Sequence, residues 1–253
     1  FVHLGRIGGS DRTVSRAQRV TVHGEDGPVD GVIGQTAIHL RENDDDTYDD
    51  IAEQRVDIGA EDGEEARELV EVGDAITVSS TVEDLHGSHI AGRGLDNRVG
   101  TWVAAETLRR AAEADVDATV YAISTVQEEV GLQGAKMLGD ELALDAVVAV
   151  DVYHATDYPD APGDKSSEVA LGDGPVVGRG SANHPAVVEA VRAAAEDEDL
   201  DVQLAADGIY NGTDADAFFT RAGGTPSLNL GLPNRYMHTP VEVVDTEDLV
   251  AAA

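Results

Sequence analysis

Two adjacent carboxylates, Glu128 and Glu129, form the stretch of the sequence best suited to chemistry. They follow a run of strand-forming residues, 118–126, and Gly131 comes shortly after them. A turn at the end of that predicted strand can bring both carboxylates to one pocket. One could then bind a metal ion while the other moves a proton, a combination typical of hydrolytic enzymes. The alternative is a solvated turn in a very acidic protein.

Three other residues that can bind metal ions stand at the edges of predicted elements. Asp96 precedes a predicted helix, Asp151 ends an apolar strand, and His238 follows the last predicted strand. In an open α/β sheet, ligands bind outside the carboxyl ends of the strands. Carboxylates and an imidazole from separate strands are what a divalent metal centre needs. Singly, Asp96 could cap its helix, Asp151 could pair with an arginine and His238 could lie in a plain loop. Their coincidence with Glu128 and Glu129 favours the metal site.

The elements that must position these residues change character near residue 80. Residues 1–80 contain short apolar runs separated by glycine-rich or aspartate-rich turns, which is the spacing of a small β-barrel or sandwich. Strands are predicted at 19–23, 29–34, 55–58 and 75–78, a helix at 64–70 behind Asp62, and a polar loop at 42–46. We therefore expect a β-rich domain at 1–80 and a second domain at 81–253.

Residues 81–253 alternate between helical and strand patterns, which is the mark of an α/β layer architecture. Helices are predicted at 97–113, 133–142, 184–197 and 213–221, with a last helix beginning at Asp245. Strands are predicted at 118–126, 145–152, 175–177, 202–206 and 226–230, and a loop rich in proline, glycine and aspartate at 154–168. Asn183 is the expected N-cap of the helix at 184–197, because Pro185 would lie in its first turn.

The composition restricts the kinds of partner and cofactor. The 253 residues include no cysteine, so a metal must be held by His, Asp or Glu, which favours Zn, Co or Mn. The net charge of −33 disfavours nucleic acid and anionic membranes as partners. It would destabilise the compact state at ordinary ionic strength, and concentrated salt would screen it. The composition therefore predicts a halophilic protein of a salt-rich cytoplasm. No apolar run is long enough to span a membrane.

Five ordered motifs then resemble those of one enzyme family, and the likeness covers essentially the whole chain. They are Leu95-Asp96-Asn97-Arg98-Val99-Gly100, the stretch from Gln127 to Ala135, the stretch from Val150 to Asp157, Gly212-Thr213-Asp214-Ala215, and the stretch from Tyr236 to Glu242. The sequence resembles the TET-type dinuclear metalloaminopeptidases, some of which carry an older endoglucanase label. The resemblance implies a phosphorylase/hydrolase-like three-layer αβα catalytic domain with an inserted small β-barrel dimerisation domain.

The same resemblance implies a role for each matching residue. Asp96 would bridge two divalent ions, most often Zn or Co. Glu129 and His238 would complete one metal site, Asp151 would bind the second ion, and Glu128 would be the general base. The resemblance also implies that Gly212, Thr213 and Asp214 bind substrate. It implies that His154 supports the metal ligands without itself binding an ion. Peptides would be the substrates, and dimers would assemble into a tetrahedral cytoplasmic dodecamer.

One element of the family pattern is not matched. The family has a further histidine ligand in a His-x-Asp motif, and no His-x-Asp occurs in this sequence. We expect that ligand on a catalytic segment upstream of Phe1, in a haloarchaeal-like protein trimmed at both ends. Two alternatives to the aminopeptidase stay open: a glycoside hydrolase with paired carboxylates and no metal, and an inactive assembly subunit.

Overall fold

The computed structural model describes residues 1–40, 48–159, 161, 168–221 and 223–253. The polar loop predicted at 42–46 and much of the loop predicted at 154–168 lie outside the described residues. The chain divides into two compact units, Phe1–Thr81 with His238–Pro240, and Val82–Met237 with Val241–Ala253. Dimerisation and catalysis, the roles expected of residues 1–80 and 81–253, stay predictions.

The first unit is built on a five-stranded antiparallel sheet in the order β1-β4-β3-β2-β5. Its strands are β1 Val2–His3, β2 Arg19–Gly24, β3 Gly27–Ile33, β4 Arg55–Asp57 and β5 Ile76–Val78. Alternating apolar residues from these strands form a core, and its buried members are Val20, Val22, Ile33, Val56 and Val70. The described part of this unit also contains the α-helices α1 Arg12–Ser15 and α2 Gly63–Leu69. The predicted strands are thus present, while closure into a barrel stays a prediction.

In its described residues, the second unit contains two sheets and five α-helices. The larger sheet has the order β10-β9-β11-β8, and the smaller has the order β12-β7-β6. The strands are β6 Glu83–Asp84, β7 His89–Gly92, β8 Val147–His154, β9 Val176–Arg179, β10 Gln203–Ala206, β11 Ser227–Asn234 and β12 Glu242–Asp245. The helices are α3 Leu95–Glu113, α4 Gln133–Glu141, α5 Pro185–Asp197, α6 Asp214–Thr220 and α7 Thr246–Ala252. The predicted α/β class is confirmed, and four of the five strands predicted here are present.

Parallel pairing of β8 with β11 forms the centre of this unit. The two strands pair along their full length, from Val147 with Ser227 to His154 with Asn234. The apolar side of α3 packs against them, because Leu95, Val99 and Val103 share a core with Val152 and Leu232. β8 is largely apolar over residues 147–152, as is usual for a parallel strand that is covered by other elements, whereas β11 alternates leucine with small or polar residues.

One predicted strand and one predicted helix cap are wrong in this unit. The stretch 118–126 is not a strand, because none of the described residues pairs with it in a ladder, and strand propensity without a partner does not fix a strand. The N-cap of α5 is His184, whose Nδ1 accepts from the Ala186 amide at 3.3 Å. Asn183 is used instead to accept from the Asn229 amide at 2.8 Å. None of the helices in the described part combines the length and hydropathy that a membrane crossing requires.

An ion pair fixes the segment after β11 and gives a pH-dependent prediction. The Arg235 guanidinium donates to both oxygens of Asp157, at 2.7 and 2.6 Å. Burial alone would raise the pKa of Asp157, but the bonds from Arg235 and the Leu171 amide lower it overall. A lowered folded-state pKa contributes stability above the unfolded pKa of ~3.9, and the contribution is lost as the pH falls through the folded value.

We therefore expect Asp157→Asn to lower the free energy of unfolding at pH 7 by about 1–2 kcal/mol, since solvent partly screens the pair. Urea denaturation of the variant and the wild type should give a difference that shrinks as the pH is lowered from 7 towards 3. Asp30→Asn, at an exposed acid of the first unit, serves as a matched control. An Asp157→Asn penalty that is the same at every pH would contradict the charge argument.

Candidate metal centre

Asp96 lies in a kink at the start of α3. Asp96 and Asn97 have non-helical backbone angles, and Asn97 Oδ1 accepts from the Gly100 amide at 2.9 Å, so Asn97 rather than Asp96 caps the regular part of the helix. The kink is held from both sides: the Asp96 amide donates to Glu242 Oε2 at 3.0 Å, and Asn97 Nδ2 donates to the Val150 carbonyl at 2.7 Å. A Cβ at Gly100 would lie 2.6 Å from that same carbonyl, so only glycine fits there.

Glu128 and Glu129 lie in a short 3-10 turn, Glu128–Val130, rather than at the end of a strand. The turn is flanked by left-handed backbone at Gln127, with φ of 58°, and Leu132, with φ of 57°. Tyr236 and His238 also have positive φ, at 60° and 64°. Such conformations cost energy in residues with a Cβ and concentrate at functional sites. In the described part, four of the seven residues other than glycine with positive φ thus lie in the two segments that were predicted to carry site residues.

Asp151 lies within β8 rather than at its end. The prediction ended the strand where the apolar run ended, but pairing with β11 continues to His154. The Asp151 side chain is only 8% exposed, and its Oδ1 accepts from the Val152 amide at 2.8 Å. Among the salt bridges of the described residues none involves Asp151, and an ionised carboxylate at this depth would be stabilised by a nearby cation.

Three of the predicted ligands converge. Asp96, Glu129 and His238 each offer a ligand atom, and these atoms lie within 4.8 Å of one another. Two carboxylate oxygens and an imidazole nitrogen suit Zn, Co or Mn, so the donor set fits the metal chemistry expected from the sequence. Asp151 is outside this group of three but close enough to Asp96 for their charges to interact.

Burial and mutual repulsion raise the pKa values of two carboxyl groups at the site. Burial, followed by the charges of Glu129, Asp214 and Asp96, raises the pKa of Glu128 to about 7. Burial also raises the pKa of Asp151 to about 8 against its bond from Val152, with Asp96, Glu128 and Asp214 adding to the rise. Like charges that cannot all ionise together are stabilised by a bound cation, which would lower these pKa values.

The residues expected to contact substrate have identifiable local roles. Thr213 is buried and caps α6 by accepting from the Ala215 amide at 3.3 Å, and the Gly212 amide donates to Asp216 Oδ2 at 2.8 Å. Asp214 Oδ2 accepts from the Thr125 hydroxyl at 2.5 Å. His154 is the exposed last residue of β8, and an odd step of three residues places it on the strand face opposite Asp151. Thr213 and Gly212 thus shape the turn that leads into α6. Asp214 lies close enough to Glu128 and Asp151 for its charge to raise the pKa of both.

Two supporting residues were not identified from the sequence. Glu242, which is 2% exposed, holds the Asp96 amide, and Thr125 ties the segment before Glu128 to Asp214. Glu242 ends one of the five motifs, so its position there was the signal that could have revealed it. Thr125 carried no such signal, because a threonine in a strand-forming run is ordinary.

A family model described as M42 glutamyl aminopeptidase matches residues 1–253. A putative aminopeptidase of Acetivibrio thermocellus is 32% identical over 254 residues, which cover 98% of this chain and 72% of that protein. The lysyl aminopeptidase of Pyrococcus furiosus is 30% identical over 256 residues, covering 98% of this chain and 71% of that protein.

Solved structures show the same likeness in three dimensions. The Pyrococcus horikoshii TET1 peptidase, described as able to assemble into a tetrahedron or a large octahedral shell, gives a TM-score of 0.84 at 32% identity. The alignment covers 98% of this chain and 73% of that one. A structure described as a putative peptidase/endoglucanase gives a TM-score of 0.70 at 29% identity, covering 93% of this chain and 70% of that one. The older endoglucanase label thus occurs among the structural neighbours, as the resemblance implied.

Proposed function

Because this chain belongs to the M42 glutamyl aminopeptidase family, we propose that it is a metal-dependent aminopeptidase that removes N-terminal residues from short peptides. The observation that carries the proposal is the convergence of Asp96, Glu129 and His238 beside Glu128. A carboxylate adjacent to a set of metal ligands is the arrangement that hydrolysis by an activated water requires.

Each residue of the site has a distinct part in this proposal. Glu129 and His238 would hold one divalent ion and Asp151 a second, with Asp96 between them. When bound, the ions would polarise the scissile carbonyl and lower the pKa of the attacking water. Glu128 would take the proton from that water and pass it to the leaving amine. Asn97 and Glu242 would keep Asp96 in place through the kink of α3.

The proposal includes a homo-oligomer acting on peptides in the cytoplasm. The support comes from relatives, since one solved neighbour is described as a dodecamer and another as a tetrahedron or octahedral shell. Names of relatives include both glutamyl and lysyl aminopeptidases, so family membership alone does not decide which N-terminal residue is removed.

Removal of metal tests the proposal against the glycosidase alternative. We expect dialysis against a chelator to lower peptide hydrolysis by at least ~100-fold, because every predicted role depends on bound cations. Adding back Zn, Co or Mn should restore activity, and the most effective ion identifies the preferred metal. Hydrolysis of N-terminally blocked peptides serves as the negative control. Peptide hydrolysis that survives complete metal removal would contradict the proposal, and chelator-resistant cleavage of a glycan would favour paired-carboxylate chemistry.

A further inference from the structure

A strip of polar side chains crosses one face of the larger sheet, beginning at Asp151. Side chains alternate between faces along a strand, and paired residues share a face. Tyr153 therefore lies on the face of Asp151, and Gly231, which pairs with Asp151, lies there too. The pairing of Gly231 with Val176 places Gly178 on this face, and the pairing of Gly178 with Ala205 places Asp207 there, two residues after Ala205. One face of the sheet thus connects the candidate metal centre to Asp207.

Two glycines make room for the side chains of this strip. A Cβ at Gly231 would lie 2.8 Å from Tyr153 Cβ and 3.2 Å from its Cγ, so the ring passes close over that position. A Cβ at Gly178 would lie 1.9 Å from Asp207 Oδ2, so this carboxylate rests on the backbone of β9. Only glycine at these two positions allows a tyrosine and an aspartate to lie across the strands.

The Asp207 carboxylate is held by neutral donors. The Tyr153 hydroxyl donates to Oδ1 at 3.3 Å, and Asn183 Nδ2 donates to Oδ2 at 3.2 Å. Burial raises the pKa of Asp207 against the lowering effect of these two bonds. Among the salt bridges of the described residues, none involves Asp207. A half-buried carboxylate with neutral partners retains capacity to accept bonds from a cation.

A second polar side chain on the same face, that of Asn229, has an oxygen without a hydrogen-bond partner among the described residues. Asn229 is 3% exposed, pairs in register with Ala149 on β8, and thus shares the face of Asp151. Within the described part of the chain, its Oδ1 has no hydrogen-bond partner. Buried acceptors without partners are rare in folded proteins and indicate a missing donor such as a ligand or an ordered water.

Neither Arg179 nor Arg235 adds an unpaired positive charge to this face. Arg179 follows Gly178 on β9, so its side chain is on the opposite face of the sheet. Arg235 is occupied by both oxygens of Asp157. The face that leads away from Asp151 therefore presents negative charge.

We propose that Asp207 selects substrates whose N-terminal residue is lysine or arginine, a preference that rests on the aminopeptidase function proposed above. The spacing suits a long side chain: Gly178, where the Asp207 carboxylate rests, lies two strands across and two residues along from Asp151, a separation of ~12 Å. An extended lysine side chain spans ~6 Å from Cα to Nζ. A substrate whose scissile bond lies at the metal centre could thus direct its terminal ammonium towards Asp207.

The test compares lysine with norleucine, which has a similar length and no charge. We expect the metal-loaded wild type to cleave the lysyl derivative of 7-amino-4-methylcoumarin about 10–100-fold more efficiently, in kcat/KM, than the norleucyl derivative. Asp207→Asn should reduce this ratio to within ~3-fold, chiefly by slowing cleavage of the lysyl substrate. Tyr153→Phe should retain the preference, because it removes a hydrogen bond and not the charge. Asp201→Asn, an exposed acid just before β10, is the control with the same change in charge.

The outcomes separate this inference from the proposed function. If the wild type hydrolyses no aminoacyl substrate with any divalent ion, the aminopeptidase function is wrong. If it hydrolyses them but treats lysine and norleucine alike, or Asp207→Asn leaves the ratio unchanged, the role of Asp207 is wrong. Should Asp207→Asn fail to fold, wild-type stabilisation by lysinamide and norleucinamide in thermal denaturation decides, and equal shifts would overturn the inference.

Discussion

Replacing Glu128 with glutamine is expected to lower kcat for peptide hydrolysis by ~10²–10⁴-fold, which is the usual contribution of a general acid–base group. Glutamine has nearly the same shape as glutamate and cannot accept the proton of the attacking water. The three converging ligand atoms belong to Asp96, Glu129 and His238, so the variant should still bind metal. KM should change little, since the lost interaction belongs to the transition state.

Metal analysis distinguishes this result from damage to the site. Glu128→Gln should contain as much metal as the wild type, whereas Glu129→Gln should lose metal together with activity. Glu141→Gln, on an exposed residue at the end of α4, is the matched control for the loss of one carboxylate. If Glu128→Gln retained more than about a tenth of wild-type kcat, Glu128 would not be the base.

Much of the fold could be predicted because apolar periodicity is local information. The helix predicted at 133–142 and the strand at 145–152 correspond to α4 and β8, with small shifts at their ends. The stretch 118–126 shows the limit of such reasoning, because its composition favours a strand and no described residue pairs with it. The strand β7, His89–Gly92, could not be predicted, because it has only four residues and is not strongly apolar. It is stabilised by its pairing with β12, which lies far away in the sequence.

The candidate site was predictable only in part. Asp96, Glu129 and His238 stand in ordered motifs, so their convergence could be expected from the sequence. Hydrogen bonds between distant segments could not, because nothing in the sequence pairs Asp96 with Glu242 or Thr125 with Asp214. Asp207 is a further case, since its nearness to Tyr153 depends on the register of four strands and on two glycines. Residues that react can be identified in a sequence by their type. Residues that orient them can be identified only once the tertiary structure shows which segments are in contact.

The acidic surface gives the second large expected effect, a strong dependence of stability on salt. The chain has 50 acidic and 17 basic residues, and in the described part only Asp151, Glu242, Asp245 and Asp248 are acids with less than about a tenth of their surface exposed. The remaining repulsion therefore lies where mobile ions can screen it, with a Debye length of ~3 Å at 1 M salt and ~10 Å at 0.1 M.

We expect that lowering KCl from 2 M to 0.1 M destabilises the fold by on the order of 5 kcal/mol, which corresponds to a fall in Tm of ~10–20 °C. Circular dichroism during heating measures the shift. Sucrose at matched osmolality is the control, because it is excluded from the protein surface without screening charge. If sucrose protected the protein as well as KCl, exclusion rather than screening would explain the effect. A Tm that stayed within ~2 °C across this range would show that the excess of acids is tolerated without salt, and the predicted adaptation to a saline cytoplasm would be wrong.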